Sequence, residues 1–186
     1  MQAWQITESK IALENPWITV RQDRCRLPDG RTVDEYNVVV ENHVACVVAL
    51  TTDQRVLLVE QYKHGIGEVT LEIPGGLFDA PDADPIAEAR RELREETGYD
   101  APIFHLLGAL SISPARLSHR MYLVVAANAT RVAEQDLDDN EEIRVHAFTL
   151  AELEDMMRDG RIHAATTVSG LYLGLDWLKR EKYIQI

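Results

Sequence analysis

Four glutamates in the segment 85–97 have a spacing that could hold a cation. The four are Glu88, Glu92, Glu95 and Glu96. Residues three and four positions apart are neighbours on a helix, and like charges placed there repel by about 0.2–0.5 kcal/mol per exposed pair. A bound cation would remove that repulsion, and hard oxygen ligands suit Mg²⁺ or Mn²⁺. The spacing therefore favours a divalent-metal site on one face of a helix.

The alternative is a solvated helix face without a ligand. Arg90, Arg91 and Arg94 lie in the same segment and could balance the glutamates. Exposed ion pairs are common on helices and say little by themselves about function. The spacing alone leaves both interpretations open.

The helix that must carry these side chains has clear limits. Asp84 is a suitable N-cap, and Pro85 occupies the first helical position, where its missing N–H costs nothing. Gly98 follows the last turn and suits the left-handed conformation of a helix end. The apolar residues Ile86, Ala89 and Leu93 recur at helical spacing and predict a narrow buried stripe.

The segment from Arg91 through Tyr99, RELREETGY, resembles the signature of the Nudix hydrolases. That signature is G-x5-E-x7-R-E-U-x-E-E-x-G-U, where U is a bulky apolar residue, and every fixed position from Arg91 onward matches if Tyr99 is the final U. The entrance departs from it, because the first Glu would fall at Ala83 and the Gly at Leu77. Asp82 or Asp84 is the candidate replacement for that carboxylate.

The resemblance implies a metal centre and roles for its residues. Glu92 and Glu96 are the first choices as metal ligands, with Glu95 on the adjacent edge as a further ligand or catalytic residue. A backbone carbonyl at Gly76, or at Gly75, would complete the Mg²⁺ (or Mn²⁺) shell. Arg91 is expected to pair with a motif carboxylate and hold its rotamer, the alternative being a phosphate contact.

The water-activating base usually lies outside the signature in this family. The segment 139–145, DNEEIRV, is similar to the acidic loop that supplies the base in ADP-ribose pyrophosphatases. Glu141 is the candidate, Asp139 is second, and Glu142 is expected to face the following strand. A merely solvated acidic loop is the alternative.

Further segments resemble the nucleoside-diphosphate-sugar branch of the family, which includes ADP-ribose pyrophosphatases and GDP-mannose hydrolases. They are LPDG, VEQY, LEIPGGL, SPA and NEEIRV. Pro114 lies sixteen residues after Gly98, close to a proline that is characteristic of ADP-ribose pyrophosphatases, but the glycines that usually follow it are absent.

In that branch the N-terminal sheet packs across a homodimer, and its aromatic residues can cover the base. Trp17 and Tyr36 are the candidates for stacking on a purine, with a core or interface role as the alternative. Lys63 and Arg116 are candidate phosphate contacts or solvated surface residues. Glu72 either lines the site or is a strand-edge residue.

The remaining pattern predicts an α/β protein of 186 residues. Residues 1–42 are predicted to form a small antiparallel β-sheet for dimerisation and base recognition, and residues 43–186 the Nudix domain. The apolar run 43–50 indicates a strand buried on both faces, with Val56–Tyr62 as its hairpin partner. Strands followed by helices predict an α/β/α sandwich around a mixed sheet, in agreement with the Nudix resemblance.

Composition narrows the partners and the compartment. A formal net charge of −12 argues against nonspecific binding to nucleic acid or to anionic membranes. No membrane span or signal peptide is indicated, and Cys25 and Cys46 lack metal-type spacing, so reduced thiols in the cytoplasm are expected.

The sequence therefore predicts a metal-dependent pyrophosphohydrolase. Its substrate is expected to be ADP-ribose or another nucleoside diphosphate sugar, cleaved to a nucleoside monophosphate and a sugar phosphate. The alternatives are a nucleoside triphosphate pyrophosphohydrolase and a Nudix-fold sensor that binds nucleotides without hydrolysing them. The altered entrance at Ala83 favours the sensor, whereas the intact Glu92, Glu95 and Glu96 favour the enzyme.

Overall fold

A computed structural model describes residues 1–78 and 83–184 of the chain. It divides into two compact units. The first contains Met1–His43 and Ser111–Arg120, and the second contains the described parts of Val44–Leu110 and Met121–Ile186. Asp82, a candidate replacement for the first signature glutamate, lies outside the described residues.

The first unit is built on a three-stranded antiparallel sheet in the order β1-β2-β3. The strands are β1 (Gln5–Asn15), β2 (Ile18–Arg26) and β3 (Thr32–Val40). Asn15 Oδ1 accepts hydrogen bonds from the Trp17 and Ile18 amides at 2.9 and 3.0 Å and so closes the first hairpin. The predicted N-terminal sheet is confirmed, and residues 111–120 complete the unit.

The second unit is built on a mixed sheet. Its described strands are β4 (His43–Thr51), β5 (Val56–Lys63), β6 (Glu68–Glu72), β7 (Gly75–Phe78), β8 (Tyr99–Asp100), β9 (Ile103–Leu110), β10 (Met121–Arg131) and β11 (Ile143–Phe148). The central order is β11-β5-β4-β10-β8, with β6 paired to β5, β7 to β4 and β9 to β10.

Within the described residues, three helices cover the two faces of this sheet: α1 (Pro85–Thr97), α2 (Leu150–Arg158) and α3 (Ala165–Arg180). One buried cluster joins α1 to the sheet and includes Ala45, Val47, Ala49, Leu57, Ala89, Leu93, Val124 and Ala126. The other joins α2 and α3 to the opposite face and includes Cys46, Val48, Leu50, Leu58, Leu123, Val125, Leu153, Met156, Leu171, Leu175 and Leu178. Alternate residues of β4 thus enter opposite layers, and the predicted sandwich is confirmed.

The predicted hairpin of β4 and β5 is present, but most of β4 has a different partner. The antiparallel pair Leu50↔Val56 joins the two strands at their turn. From Val44 to Thr51, β4 pairs in parallel with β10. β11 pairs along the other edge of β5, beginning at Val56, and from Val59 to Lys63 β5 pairs with β6 rather than with β4. No helix within the described residues is long and apolar enough to cross a membrane.

Candidate metal centre and active site

The helix α1 begins and ends as its sequence predicts. Asp84 Oδ1 accepts a hydrogen bond from the Ile86 amide at 3.0 Å, and Pro85 is the first helical residue. Gly98 ends the helix in the left-handed conformation, with φ +74°, and a Cβ atom there would collide with the carbonyl oxygen of Ala133. Asp84 therefore serves as a helix cap.

The glutamates of α1 meet the start of β7. Glu92 and Glu96 are 8% and 6% exposed, and Glu96 Oε2 accepts a hydrogen bond from the Gly75 amide at 2.8 Å. A Cβ atom at Gly76 would lie 2.5 Å from Glu92 Oε1. Gly76 thus lets the backbone approach Glu92, which a larger residue there would displace, whereas a Cβ atom at Gly75 would collide with Ala45 O and Cys46 of β4.

Arg91 connects three of the carboxylates. Its Nε donates to Glu88 Oε2 at 3.0 Å, and its two terminal nitrogens donate to Glu92 and Glu95. Burial disfavours the guanidinium charge, but these acidic partners outweigh it and raise the Arg91 pKa. The contacts are those expected of an arginine that holds carboxylate rotamers, although its role in catalysis stays a prediction.

Glu96 carries a carboxylate whose charge is poorly compensated. Burial raises its pKa to about 8; the charges of Glu92 and Glu141 add to the rise, and the Gly75 amide and Lys63 oppose it. Burial also raises the pKa of Glu92, in spite of Arg91. Two buried acids therefore lie side by side with less positive charge than their ionised forms require.

A polar network at the ends of β5 and β6 borders this cluster. Lys63 Nζ donates to Gln61 Oε1 at 2.6 Å and lies 3.6 Å from Glu72 Oε2. The buried Thr70 hydroxyl donates to Glu72 Oε1 at 2.7 Å. Glu72 is thus held from two sides, and Lys63 is near enough to lower the pKa of Glu96. Whether either residue contacts substrate stays a prediction.

The thiol of Cys46 lies behind the same cluster. Burial raises its pKa to about 12, and the charges of Glu96, Glu72 and Glu92 add to the rise. Cys25 is also buried, and both cysteines are free. Their reduced state in the cytoplasm stays a prediction.

The candidate base Glu141 lies in the β10–β11 loop, residues 132–142. Its amide donates to Asp138 O at 2.9 Å, and its Oε2 accepts from the Asp138 amide at 3.2 Å. The side chain is exposed, and its charge raises the pKa values of both Glu92 and Glu96. Asp139 and Glu142 are exposed in the same loop. The structure thus brings Glu141 within electrostatic reach of the cluster.

Three predicted substrate contacts belong to the first unit. Trp17 is 87% exposed, which is incompatible with a core role within the unit. The hydroxyl of Tyr36 donates to Ala115 O at 2.7 Å, and its ring meets Trp4 edge-on at 6.0 Å. Arg116 is exposed. Their contacts with base and phosphate stay predictions.

A cavity of about 470 Å³ opens along α1 beside the carboxylates. Its walls are Ala87, Arg90, Arg91, Arg94, Glu95, Ala133, Glu134 and Asp136. Arg91 and Glu95 therefore face both the cluster and the cavity, which has the volume of a small-molecule site.

The donor set fits a divalent cation. In the described part of the chain, no three acidic, histidine or cysteine side chains converge as a ready-made ligand group. Arg91 is hydrogen-bonded to Glu92 and Glu95, so these carboxylates are turned toward its guanidinium. The chemistry nevertheless suits Mg²⁺ or Mn²⁺, because Glu92 and Glu96 are buried oxygen donors whose charges Arg91 and Lys63 compensate only in part.

Two polar contacts at the site have no signal in the local sequence. Thr70 orients Glu72, and Gln135 bonds the backbone of α1 from a loop 39 positions away. Neither residue belongs to the signature, and neither stands in a spacing that marks a ligand.

Comparison with known protein families assigns the class. The NUDIX domain profile matches residues 41–167, and the profile of the nucleoside diphosphate sugar hydrolase N-terminal domain matches residues 4–39. The chain belongs to the Nudix family and is a Nudix hydrolase, as its signature predicts. Nudix hydrolases generally need a divalent metal, in agreement with the donor set.

Individual proteins of the family are similar to this chain in sequence. The chain is 30% identical over 138 residues to the ADP compounds hydrolase of Escherichia coli, covering 74% of this chain and 73% of that protein. It is 29% identical over 167 residues to the methanol dehydrogenase activator of Bacillus methanolicus, covering 89% of each. An ADP-ribose pyrophosphatase of Mycobacterium tuberculosis is 27% identical over 153 residues, covering 82% and 73%.

A solved structure shares the whole architecture. A crystal structure of an ADP compounds hydrolase superposes with a TM-score of 0.85 at 25% identity, covering 99% of this chain and 98% of that one. The predicted family, fold class and enzyme class are confirmed.

Proposed function

We propose that this Nudix enzyme hydrolyses the diphosphate of ADP-ribose or another nucleoside diphosphate sugar, releasing a nucleoside monophosphate and a sugar phosphate. Relatives named ADP compounds hydrolase and ADP-ribose pyrophosphatase support ADP-sugars as the substrate class. The family profile that matches residues 4–39 is that of the nucleoside diphosphate sugar hydrolase N-terminal domain, which supports the same substrate class.

The observation that carries the proposal is the pair of buried carboxylates at Glu92 and Glu96, set against Gly75 and Gly76. These two side chains, with the Gly76 carbonyl and Glu95 beside them, would hold Mg²⁺ or Mn²⁺. A divalent cation there would neutralise phosphate charge and lower the pKa of a bound water. A protein that only bound nucleotides would have no need for buried acids in this arrangement, which favours the enzyme over the sensor.

The surrounding residues have distinct roles. Arg91 holds Glu92 and Glu95 in place through its two terminal nitrogens. Glu141 takes the proton of the attacking water, since it is an exposed carboxylate within electrostatic reach of the cluster. Lys63 contacts a phosphate, because its ammonium is already directed toward the acidic site. The cavity beside Glu95 gives room for part of the substrate.

The N-terminal sheet is proposed to form a homodimer and to contribute to base recognition. The strand β1 is exposed along its whole length in the single chain. Exposed apolar side chains lie on and beside it: Trp4, Ile6, Ile11, Leu13 and Trp17. A surface of this kind is typical of protein interfaces, and Trp17 and Tyr36 have the ring chemistry to stack on a purine.

A cytoplasmic location without nucleic-acid or membrane partners is proposed from the free thiols and the net charge. The free cysteines Cys25 and Cys46 suit a reducing cytoplasm. A net charge of −12 disfavours binding to nucleic acid or to an anionic membrane.

A hydrolysis panel tests the proposal. Purified protein with Mg²⁺ or Mn²⁺ is offered ADP-ribose, GDP-mannose, UDP-glucose, dinucleoside polyphosphates and nucleoside triphosphates, with EDTA controls. Metal-dependent release of AMP from ADP-ribose is the expected result. Preferential cleavage of nucleoside triphosphates would favour the alternative of a nucleoside triphosphate pyrophosphohydrolase. Tight nucleotide binding without turnover would favour the sensor.

A further inference from the structure

The β10–β11 loop starts against the C-terminal end of α1. The Val132 amide donates to Gly98 O at 2.8 Å, and the Asp136 amide donates to Glu95 O at 2.9 Å. The last four carbonyls of a helix have no partner within the helix, so a neighbouring segment must satisfy them. The first half of the loop therefore serves as the C-terminal cap of the helix that carries the metal-binding glutamates.

The side chain of Gln135, near the start of this loop, bonds both α1 and the strand that follows the loop. Gln135 Nε2 donates to Glu96 O at 2.6 Å and to Ile143 O at 3.2 Å. A side-chain amide has two hydrogens on its nitrogen, so both bonds can form together. Ile143 is the first residue of β11. The two bonds thus tie the beginning and the end of the Glu141 segment to each other and to α1.

The tip of the loop is held by bonds of its own. Asp138 and Glu141 exchange hydrogen bonds at 2.9 and 3.2 Å. Such bonds preserve the shape of a turn, but they do not set its position on the protein. That position depends on the two ends, and Gln135 contacts both of them.

We propose that Gln135 is a positioning residue that holds the Glu141 loop against α1, near Glu92 and Glu96, through its bonds to the carbonyls of Glu96 and Ile143. The inference rests on the proposed function, in which Glu141 is the base. Misplacing a reacting group by about 1 Å can cost about 100-fold in rate. Because Glu141 acts in the chemical step, loss of Gln135 should lower kcat and leave KM nearly unchanged.

Two substitutions at Gln135 separate its hydrogen bonds from its size. Gln135→Met keeps the length but removes both donors, and should lower kcat for ADP-ribose about 10- to 30-fold with KM within about 3-fold. Gln135→Lys restores donors to both carbonyls and should recover kcat to within about 3-fold of the unsubstituted enzyme. Equal kcat values in the Met variant and the unsubstituted enzyme would overturn the proposal.

The matched control removes a helix cap elsewhere in the same unit. Thr149 caps α2 through bonds with Glu152, so Thr149→Ala should lower the melting temperature without changing kcat. A purely structural role for Gln135 would give the same pattern in Gln135→Met, a lower melting temperature with normal kcat, and would contradict the proposal.

A double-mutant cycle tests whether Gln135 acts through Glu141. Glu141→Gln alone should lower kcat by about 100-fold or more. In that background Gln135→Met should lower kcat by less than about 2-fold, because the group it positions is already lost. An equal loss in both backgrounds, or a Glu141→Gln enzyme with normal turnover, would overturn the proposal.

Amide hydrogen exchange tests the contact without any catalytic assay. The Asp136 amide donates to Glu95 O and so reports the contact of the loop with α1; it should exchange about 10-fold faster in Gln135→Met, but not in Thr149→Ala. Unchanged exchange would overturn the inference whatever the activity. Faster exchange in a protein that hydrolyses no substrate of the panel would instead count against the proposed function and leave the positioning contact supported.

Discussion

Two carboxylates beside α1, Glu96 within the helix and Asp100 in β8, have pKa values shifted in opposite directions. Asp100 accepts hydrogen bonds from Arg90 Nε and Nη2 at 2.8 and 2.9 Å, and Arg94 lies 3.6 Å away. Burial alone would raise the pKa of Asp100, but these arginines outweigh it and hold the pKa below its usual value. Asp100 is half-buried, whereas Glu96 is buried and its pKa is raised to about 8. The two acids therefore differ both in burial and in their cationic partners.

From this difference we expect Asp100 to be a structural acid and Glu96 to be a functional one. Asp100 joins β8 to α1, and its negative charge is already compensated by Arg90 and Arg94. Glu96 accepts a backbone amide but shares its surroundings with Glu92, and Arg91 donates to Glu88, Glu92 and Glu95 rather than to Glu96. Incomplete compensation of buried charge is costly for folding, and it leaves the site able to bind a cation.

The largest effect should follow from removing the charge of Glu96. Glu96→Gln keeps the shape and an oxygen acceptor for the Gly75 amide, so the fold should persist. If Glu96 holds the metal, kcat/KM should fall about 100-fold or more. Steady-state hydrolysis over a metal titration measures the loss, and circular dichroism checks the fold.

Asp100→Asn is the matched control for that experiment, since it makes the same acid-to-amide change on the other surface of α1. Its kcat/KM should stay within about 2-fold of the unsubstituted enzyme. Near-normal turnover in Glu96→Gln would remove Glu96 from the site.

A smaller loss is expected when Arg91 is replaced by lysine. Lysine keeps one positive charge but cannot donate to three carboxylates in the planar geometry of a guanidinium. Arg91→Lys should lower kcat/KM about 10-fold and raise the metal concentration needed for half-maximal rate. Arg158→Lys is the control, because Arg158 pairs with Glu154 and Asp155 on the surface of α2. Equal losses in the two variants would mean that Arg91 has no special relation to the site.

The limits of α1 and the glutamate face were predictable because both depend on local sequence. Asp84, Pro85 and Gly98 each determine the helix end at which they lie. The four-residue spacing of Glu92 and Glu96 places both on one face of the helix. The family, fold class and enzyme class followed from the signature that these residues form.

The long-range partners of the same helix were not predictable. Gly76 needs to be glycine because Glu92 approaches it from 16 positions away, and Gln135 bonds Glu96 from 39 positions away. The parallel pairing of β4 with β10 also joins distant segments, whereas the sequence pattern indicated only the hairpin partner next along the chain. Such contacts depend on how the elements pack, which periodicity does not encode.

A third test uses the pH dependence of stability in EDTA. A carboxyl with a usual pKa of 4.5 when unfolded and about 8 when folded stabilises the fold in its protonated form. Its contribution is complete below pH 4.5 and declines as the pH rises toward about 8, because the unfolded chain loses the proton first. Relative to Glu96→Gln, the unsubstituted protein should lose several degrees of melting temperature over this interval, at about 2–4 °C per kcal/mol.

Added Mg²⁺ should oppose this decline in the unsubstituted protein, because a ligand that binds only the folded state stabilises it. Glu96→Gln should show little response to the metal. Parallel melting curves for the two proteins across this pH interval would show that Glu96 is not an uncompensated acid.

The smallest effect concerns the structural acid. Asp100→Asn removes the ion pairs with Arg90 and Arg94, which are partly exposed, and should lower the free energy of unfolding by about 0.5–1 kcal/mol at neutral pH. Asp100 has a lowered pKa in the folded state, so its stabilisation is present above its unfolded pKa of about 3.8 and is lost as the pH falls through the folded value. Urea unfolding at pH 7 and pH 3 should therefore show the difference shrinking in acid. If Asp100→Asn instead lost turnover as Glu96→Gln does, the two acids would belong to one site and the distinction between them would fail.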